Sequence, residues 1–521
     1  MKSFSAILAS LAGFTAALSV STPESCCNAL ANSELSSEVT VPGQERYESS
    51  VNSYFSKTAQ LRPNCIVTPL TPQDVSLAVT TLASRSCRFA VRGGGHTTWA
   101  GAANIEEGVT IDLSWMNATT YHAANSTASI GPGARWGSVY STLDKYNVTV
   151  VGGRASTVGL GLVLGGGNSF LAARYGLACD NVLNFKARLW NPLNSRISLT
   201  GPQVVLANGD IVNANRDENS DLFQALKGGS NNFGIVVQFD LLTVQQPNLW
   251  GGVVVYPNST TPQQLPAFVN FGDRIQDDPY ASVISIWSYS SVTKQTLVTN
   301  IYDHTKPVPR APAFDEFLSI PGNITDTTRI SNLTDLTSEL SMSYGWRDSF
   351  WTLTFVNDER VIQKAIDTYG SLAERLSSAS GEWSMNVMFQ PIPTLFSEHS
   401  VKKGGNVLGL DRATENLVLF QFNVEWQNSE DDALFYNAGD TMISELTAYS
   451  KRIGKHHEFL YLPYANWNQD PLSSYGVENV RKLQAVSRKY DPDGVFQTLV
   501  PGGFKLFRKG AVASGHDPSE L

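Results

Sequence analysis

Along this chain, apolar positions fall into short, strand-length runs punctuated by glycine, with only a few longer stretches at helical spacing. Cys65 to Val67 reads as extended, Asp74 to Ala83 has helical periodicity behind a Thr-Pro start, and Arg88 to Arg92 is an apolar strand that ends in three glycines. Val109 to Leu113 and Ala128 to Gly131 read as strands, and Trp136 to Tyr146 as a helix. Val148 to Val151 then leads into a glycine-rich stretch, 152–167, and Gly234 to Phe239 closes this part of the chain as a further strand.

The texture changes after residue 245. Strand candidates rich in aromatics (Ile284 to Tyr289, Trp351 to Phe355, Val418 to Trp426) alternate with helices such as Glu359 to Ser377. That mixture predicts an α+β architecture with an antiparallel sheet covered by helices on one side. The tail has one amphipathic helix, Val477 to Tyr490, and no internal repeat or heptad is visible. These shifts divide the chain into a leader (1–19), a polar lead-in with a short helix (20–58), a first lobe (59–245), a second lobe (246–455), a terminal element (456–510) and a tail (511–521).

Composition narrows the compartment and the partner. Charged residues are only 16%, with net charge −9 and no long Lys/Arg block, so the footprint of a nucleic-acid binder is missing. The expected partner is a neutral small molecule. Lys2, the apolar run Ala6 to Phe14 and the small residues through Ala17-Leu18-Ser19 read as a cleaved secretory signal. The run is shorter than the ~20 apolar residues that span a bilayer, and no later segment qualifies, so no membrane partner is expected. Six N-x-S/T triplets, at Asn117, Asn125, Asn147, Asn258, Asn323 and Asn332, agree with secretion and N-glycosylation. Five cysteines in an oxidising compartment predict one or two disulfides joining the Cys26/Cys27 pair to Cys65 or Cys87, with connectivity open. Cys179, beside Leu177 and Ala178, reads as a small buried hydrophobe, and no spacing suggests a metal site.

The candidate chemistry lies in the glycines. In Val91-Arg92-Gly93-Gly94-Gly95-His96, three glycines after a strand let successive backbone N–H groups form an anion nest with His96 at its mouth. Alone, this hexapeptide is equally a tight turn with a surface histidine. A second cluster, Gly159 to Gly167, resembles a dinucleotide fingerprint, but Leu164 stands where G-x-G-x-x-G needs glycine. Asp180 also precedes an apolar run, where the Rossmann acid would end one. A third cluster, Gly228 to Gly234, immediately precedes a strand. Three such loops in one lobe imply one large, flat, phosphate-bearing cofactor.

With those motifs in place, residues from about 60 to 243 resemble the FAD-binding domain of the vanillyl-alcohol-oxidase, or p-cresol-methylhydroxylase, superfamily. The matching segments include Arg92 to His96, Gly131 to Gly137, Gly152-Gly153-Arg154, Gly159 to Gly167, Tyr175 to Asn181 and Gly228 to Gly234. The tail is similar to the end of berberine-bridge-enzyme-like proteins at Tyr475-Gly476, Tyr490-Asp491-Pro492 and Pro501-Gly502-Gly503-Phe504. The resemblance implies two lobes: an FAD domain completed by 456–510 and an antiparallel-sheet substrate domain. It also implies FAD bonded through His96, with Arg92, Gly93, Gly94, Gly95, Gly159, Gly161, Gly165, Gly166, Asn232 and Gly234 around it. Doubly linked members carry cysteine where Ala155 stands, so a single link is expected.

Two departures from the family pattern stand out. Residues 186–203 form an atypical insert, either a surface loop or an untranslated segment read through, and the Tyr-x-Asn-Tyr segment appears as Tyr461-Leu462-Pro463-Tyr464. Candidates for the catalytic base are Tyr464 and the pair Glu398-His399, whose stretch the family places on a strand facing the flavin; an exposed loop pair is the alternative for the latter. Gln421 and Asn423 either line the pocket or belong to a plain sheet surface. The expected protein is a secreted, monomeric flavin oxidase that passes hydride from an alcohol, sugar or secondary metabolite to FAD and then electrons to O2, giving H2O2. A dehydrogenase, an oxidative cyclase and a non-catalytic flavin-retaining protein are the alternatives.

Overall fold

Thr71 caps the helix Pro72–Ala83 through a reciprocal bond with Asp74, satisfying backbone donors that would otherwise be orphaned. That helix buries Val75, Ala78, Val79 and Leu82 beside a four-stranded sheet ordered Val39–Thr40, Cys65–Val67, Val109–Asp112, Phe89–Arg92. The last three strands are parallel, as a strand–helix–strand crossover requires. The computed structural model describes residues 22–185 and 204–507. The expected leader, the atypical insert and the tail 511–521 lie outside the described residues.

The strand expected from Gly234 to Phe239 divides in two. Ile235–Val236 pairs with Val204–Val205 in a three-stranded sheet, while Phe239–Gln245 crosses into a six-stranded one. The reason is visible in the pattern: Ile235, Val236 and Val237 are all buried, so the run does not alternate and is free to change sheets. The helix expected over Trp136 to Tyr146 is α-helical to Leu143 and tightens into a 3-10 turn over Asp144–Tyr146. The Gly159 to Gly167 segment follows no strand and coils as a 3-10 turn over Leu160–Gly165, which removes the Rossmann context.

The second lobe is a nine-stranded sheet in which every pairing is antiparallel. Alternation gives its central strands two distinct faces. Trp351, Leu353, Phe420, Phe422, Val424, Met385, Val387 and Phe389 form an apolar face. Helix Asp432–Arg452 packs on it through Phe435 and Tyr436, and helix Thr261–Asp273 through Phe268. The opposite face holds Asp348, Thr352, Gln421, Asn423, Glu425, Ser384, Asn386 and Gln390, in register across Arg347–Val356, Leu417–Trp426 and Trp383–Ile392. That polar face looks toward the first lobe. His456–His457, read from sequence as the start of the tail, adds a short strand to the same sheet beside Thr354 and Phe355.

The lead-in is more ordered than its polarity suggested. It forms helices Pro23–Ala31 and Glu45–Asn52, and disulfides Cys26–Cys87 and Cys27–Cys65 fasten it to the small sheet. Both bridges fall within the expected pairings. Cys179 is fully buried and unbridged, and desolvation pushes its thiol well above the usual range, as suits a core residue. The bridges close long stretches of chain, 61 and 38 residues apart in sequence. Replacing Cys26 and Cys87 together by alanine is therefore expected to cost roughly 2–4 kcal/mol, measured by urea denaturation against the unaltered chain.

Candidate active site

Strand Phe89–Arg92 delivers the triple-glycine loop directly onto the second glycine segment. Gly94 and Gly159 meet backbone to backbone: a Cβ on Gly94 would lie 2.6 Å from the Gly159 Cα. No side chain fits at that contact. Gly95 has φ +67°, and a Cβ there would lie 2.7 Å from Arg92 Nε, so the loop turns over the arginine in a conformation that favours glycine. The other glycine segments continue the circuit. Ser230 N donates to Leu164 O at 3.1 Å, Asn231 Nδ2 to Gly502 O at 3.1 Å, and Gly502 lies against Gly101 O. Trp99 and Phe504 rings are 5.5 Å apart. Four segments distant in sequence thus touch in sequence around one region.

His96 stands on this circuit, half-buried, its ring stacked at 4.1 Å on Phe55 of the lead-in. Its Nε2 is 3.2 Å from Thr157 Oγ1. Desolvation, aided by the Arg135 charge, pushes its pKa down to about 4, so the imidazole is neutral and nucleophilic at neutral pH. Arg135 donates to Gly94 O at 3.1 Å and to Tyr344 Oη at 2.8 Å. Phe55 N donates to Gly95 O at 2.9 Å.

Arg92 points away from the open side of the loop. It is 2% exposed, lies 4.0 Å from the centre of the Tyr54 ring, and donates to Ser50, Ser53 and Asp112. It therefore holds the loop from beneath. Asn232 spends its amide on Gly229 O and Phe504 O and accepts from Gln497, tying the third glycine cluster to the tail. Gly234 packs on Val205 O, Gly165 on Pro463 and Gly166 on Leu408, whereas Gly161 faces open space.

The second cluster of interest joins the lobes. Arg154 donates to Gln390 Oε1 of the sheet and, at 3.0 Å, to Tyr464 Oη of the tail. Tyr464 packs edge-on against Tyr461 at 4.9 Å and Phe350 at 6.3 Å. Tyr461 Oη accepts from Asn168 N at 2.7 Å, so Pro463 leaves the two tyrosines to organise this corner. Glu398 and His399 do not lie on a strand. They belong to the helix Thr394–Lys402, where Glu398 is exposed and 3.8 Å from Lys402, and His399 Nε2 contacts Ala173 O at 3.0 Å. An i,i+4 ion pair and a backbone contact use both side chains locally. Gln421 and Asn423 sit on the buried polar face, where Asn386 Nδ2 donates to Asn423 Oδ1 at 2.8 Å.

Sequence reasoning missed Phe55, Thr157 and Gln390, and gave Arg154 and Arg135 no individual role. Only sheet register and the path of the lead-in bring them to the site. The residues present fit a flavin dinucleotide. Loops at Gly94 and Gly159 meet without side chains, Gly161 opens onto space, and Asn231 Oδ1 is buried without a partner. Neither Arg135 nor Arg154 has a carboxylate within ion-pair reach among the described residues.

Comparison with known proteins agrees. Residues 63–191 match the family model described as "FAD binding domain". Among solved structures, 6-hydroxy-D-nicotine oxidase from Arthrobacter nicotinovorans superposes with TM-score 0.71 at 21% identity, covering 88% of this chain and 96% of that one. Glucooligosaccharide oxidase from Acremonium strictum, named with a 6-S-cysteinyl, 8α-N1-histidyl FAD, gives TM-score 0.70 at 19% identity, covering 94% and 100%. These show the fold, two lobes of which the first carries an FAD-binding domain. The FAD-dependent monooxygenase sdcF of Emericella nidulans is 45% identical over 492 residues, covering 93% of this chain and 99% of that protein. The chain belongs to this family of FAD-dependent oxidoreductases.

The Gly94–Gly159 contact yields a sharp expectation. Gly94→Ala should abolish flavin retention, read as loss of visible absorbance per protein. Gly370→Ala, in the helix Glu359–Arg375 with nothing within 4 Å, should leave retention intact and stabilise by about 0.5–1 kcal/mol.

Proposed function

We propose that the chain binds one FAD, bonded once through His96, and takes hydride from a substrate carbon bearing an alcohol or amine. The observation that carries this is His96 itself. A neutral, ring-stacked imidazole stands on the glycine circuit, and Ala155 stands where a second, cysteinyl link would need sulfur. The backbone amides of Gly93–Gly95 and Gly159–Gly161 would hold the dinucleotide, and the flavin, when bound, supplies the two-electron chemistry. Tyr464, oriented by Arg154, lies between the circuit and the polar sheet face and is the candidate to hold the substrate or its proton there. Arg135 fixes the loop carbonyl at Gly94, and Phe55 shields the imidazole from water.

Electron transfer to O2 with release of H2O2 is the favoured second half of the cycle. Oxygen insertion is a second reading, favoured by the name monooxygenase carried by sdcF. Secretion fits the two disulfides and the exposure of all six sequon asparagines. Acid precipitation tests the tether: yellow fluorescence should stay in the pellet of the unaltered protein and wash out of His96→Ala. Retention in the variant rejects His96 as anchor. Labelled O2 separates the two readings, since an oxidase leaves the label in peroxide and a monooxygenase puts it into product.

A further inference from the structure

On the polar face of the large sheet, Asp348 lies directly across from Glu425, and Glu425 from Ser384. Asp348 is fully buried, and neither carboxylate oxygen has a donor. The two side chains stand at directly opposed positions on one face, where cross-strand Cβ atoms lie about 4.5–5.5 Å apart. Glu425, half-buried, accepts from Ser384 Oγ at 3.1 Å. Ser56 Oγ accepts from Asp348 N at 2.8 Å, one residue from the Phe55 that stacks on His96. No lysine or arginine pairs with either acid among the described residues, and the nearby Arg347 is committed to Asp432. Two neighbouring carboxyls, one of them fully buried, do not both ionise without a cation. Burial pushes Asp348 well above the carboxylate range, with the Glu425 charge adding to it, and burial raises Glu425 too. A proton on Asp348 donated to Glu425 gives one Asp348 oxygen a partner and leaves the charge on Glu425.

A second vacancy lies one row along the same face. Asn423 is 4% exposed, its Oδ1 is taken by Asn386, and its Nδ2 has no partner. The two rows are about 6.8 Å apart, two strand residues.

We infer that Asp348 and Glu425 share one proton and present a single negative charge to the substrate cleft, selecting a molecule with a donor head, an alcohol or ammonium, and an acceptor oxygen two strand residues away. A carboxylate at the donor end is excluded by that charge. This rests on the reading of the cleft as a substrate site, and it deepens that reading by naming the head group.

Calorimetric titration of the whole protein with benzylamine and with benzoate tests the inference independently of flavin colour. Benzylamine is expected to bind roughly tenfold or more tighter than benzoate, a difference of one charge interaction. Glu425→Gln should erase the preference. Asp348→Asn should keep it, because the amide donates to Glu425 where the O–H did. Equal binding of the two probes, no binding of either, or an Asp348→Asn variant that behaves like Glu425→Gln each overturns the proposal. The comparison of probes on unaltered protein decides it even where a variant fails to fold. A colourless protein that still prefers benzylamine would instead reject the flavin reading and leave this one standing.

Discussion

The site depends on two glycines touching. Where Gly94 meets Gly159, two backbones approach more closely than any side chain permits, and this contact sets the spacing of everything around it. It fixes the nest after the strand Phe89–Arg92, points Arg135 at the Gly94 carbonyl, and leaves His96 at the rim. Arg92 makes the arrangement rigid from below. A buried guanidinium whose two terminal nitrogens donate to Ser50, Ser53 and Asp112 holds a loop in one geometry, since those donors would lose their acceptors in another.

The second constraint is the two-faced sheet. Alternation along Arg347–Val356, Trp383–Ile392 and Leu417–Trp426 commits the aromatic residues to the helices and the amides and acids to the opposite side. A register slip of one residue would exchange the faces. Burying so many polar groups on one face is unfavourable unless something satisfies them. Part of that satisfaction comes from across the lobes, where Arg154 and Asn168 donate to Gln390, and part from within the face, where Asn386 donates to Asn423 and Ser384 to Glu425. Asp348, Asn423 and Asn231 retain unpaired atoms.

What could be read in the sequence was what is local. Glycine clusters announce close backbone approach at their own positions, and alternating runs announce strands, so the loops and the sheet were legible. The Cys26/Cys27 pairing was bounded by spacing and compartment alone. What could not be read was register and long-range placement. Nothing around Phe55 says that its ring will cover an imidazole in another segment, and no local pattern sets Asp348 opposite Glu425. The Glu398–His399 stretch failed differently. Its expected strand came from resemblance, while its own spacing, with Pro393 ahead of the first turn and Glu398 four residues before Lys402, suits the helix that forms. Arg92 and Asn232 were found as important positions, but their side chains face the scaffold, a distinction that only burial reveals.

The disulfides reach further than the small sheet they pin. The lead-in that they fasten runs on through the helix Glu45–Asn52 to Phe55 and Ser56, one stacked on the imidazole and the other bonded to the Asp348 backbone. Thiol chemistry in the lead-in is thereby linked to the candidate site around His96. A polypeptide matured where glutathione keeps sulfur reduced would assemble its sheets yet hold that lead-in only by non-covalent contacts, so the redox state of the folding compartment becomes a condition for a well-ordered catalytic centre.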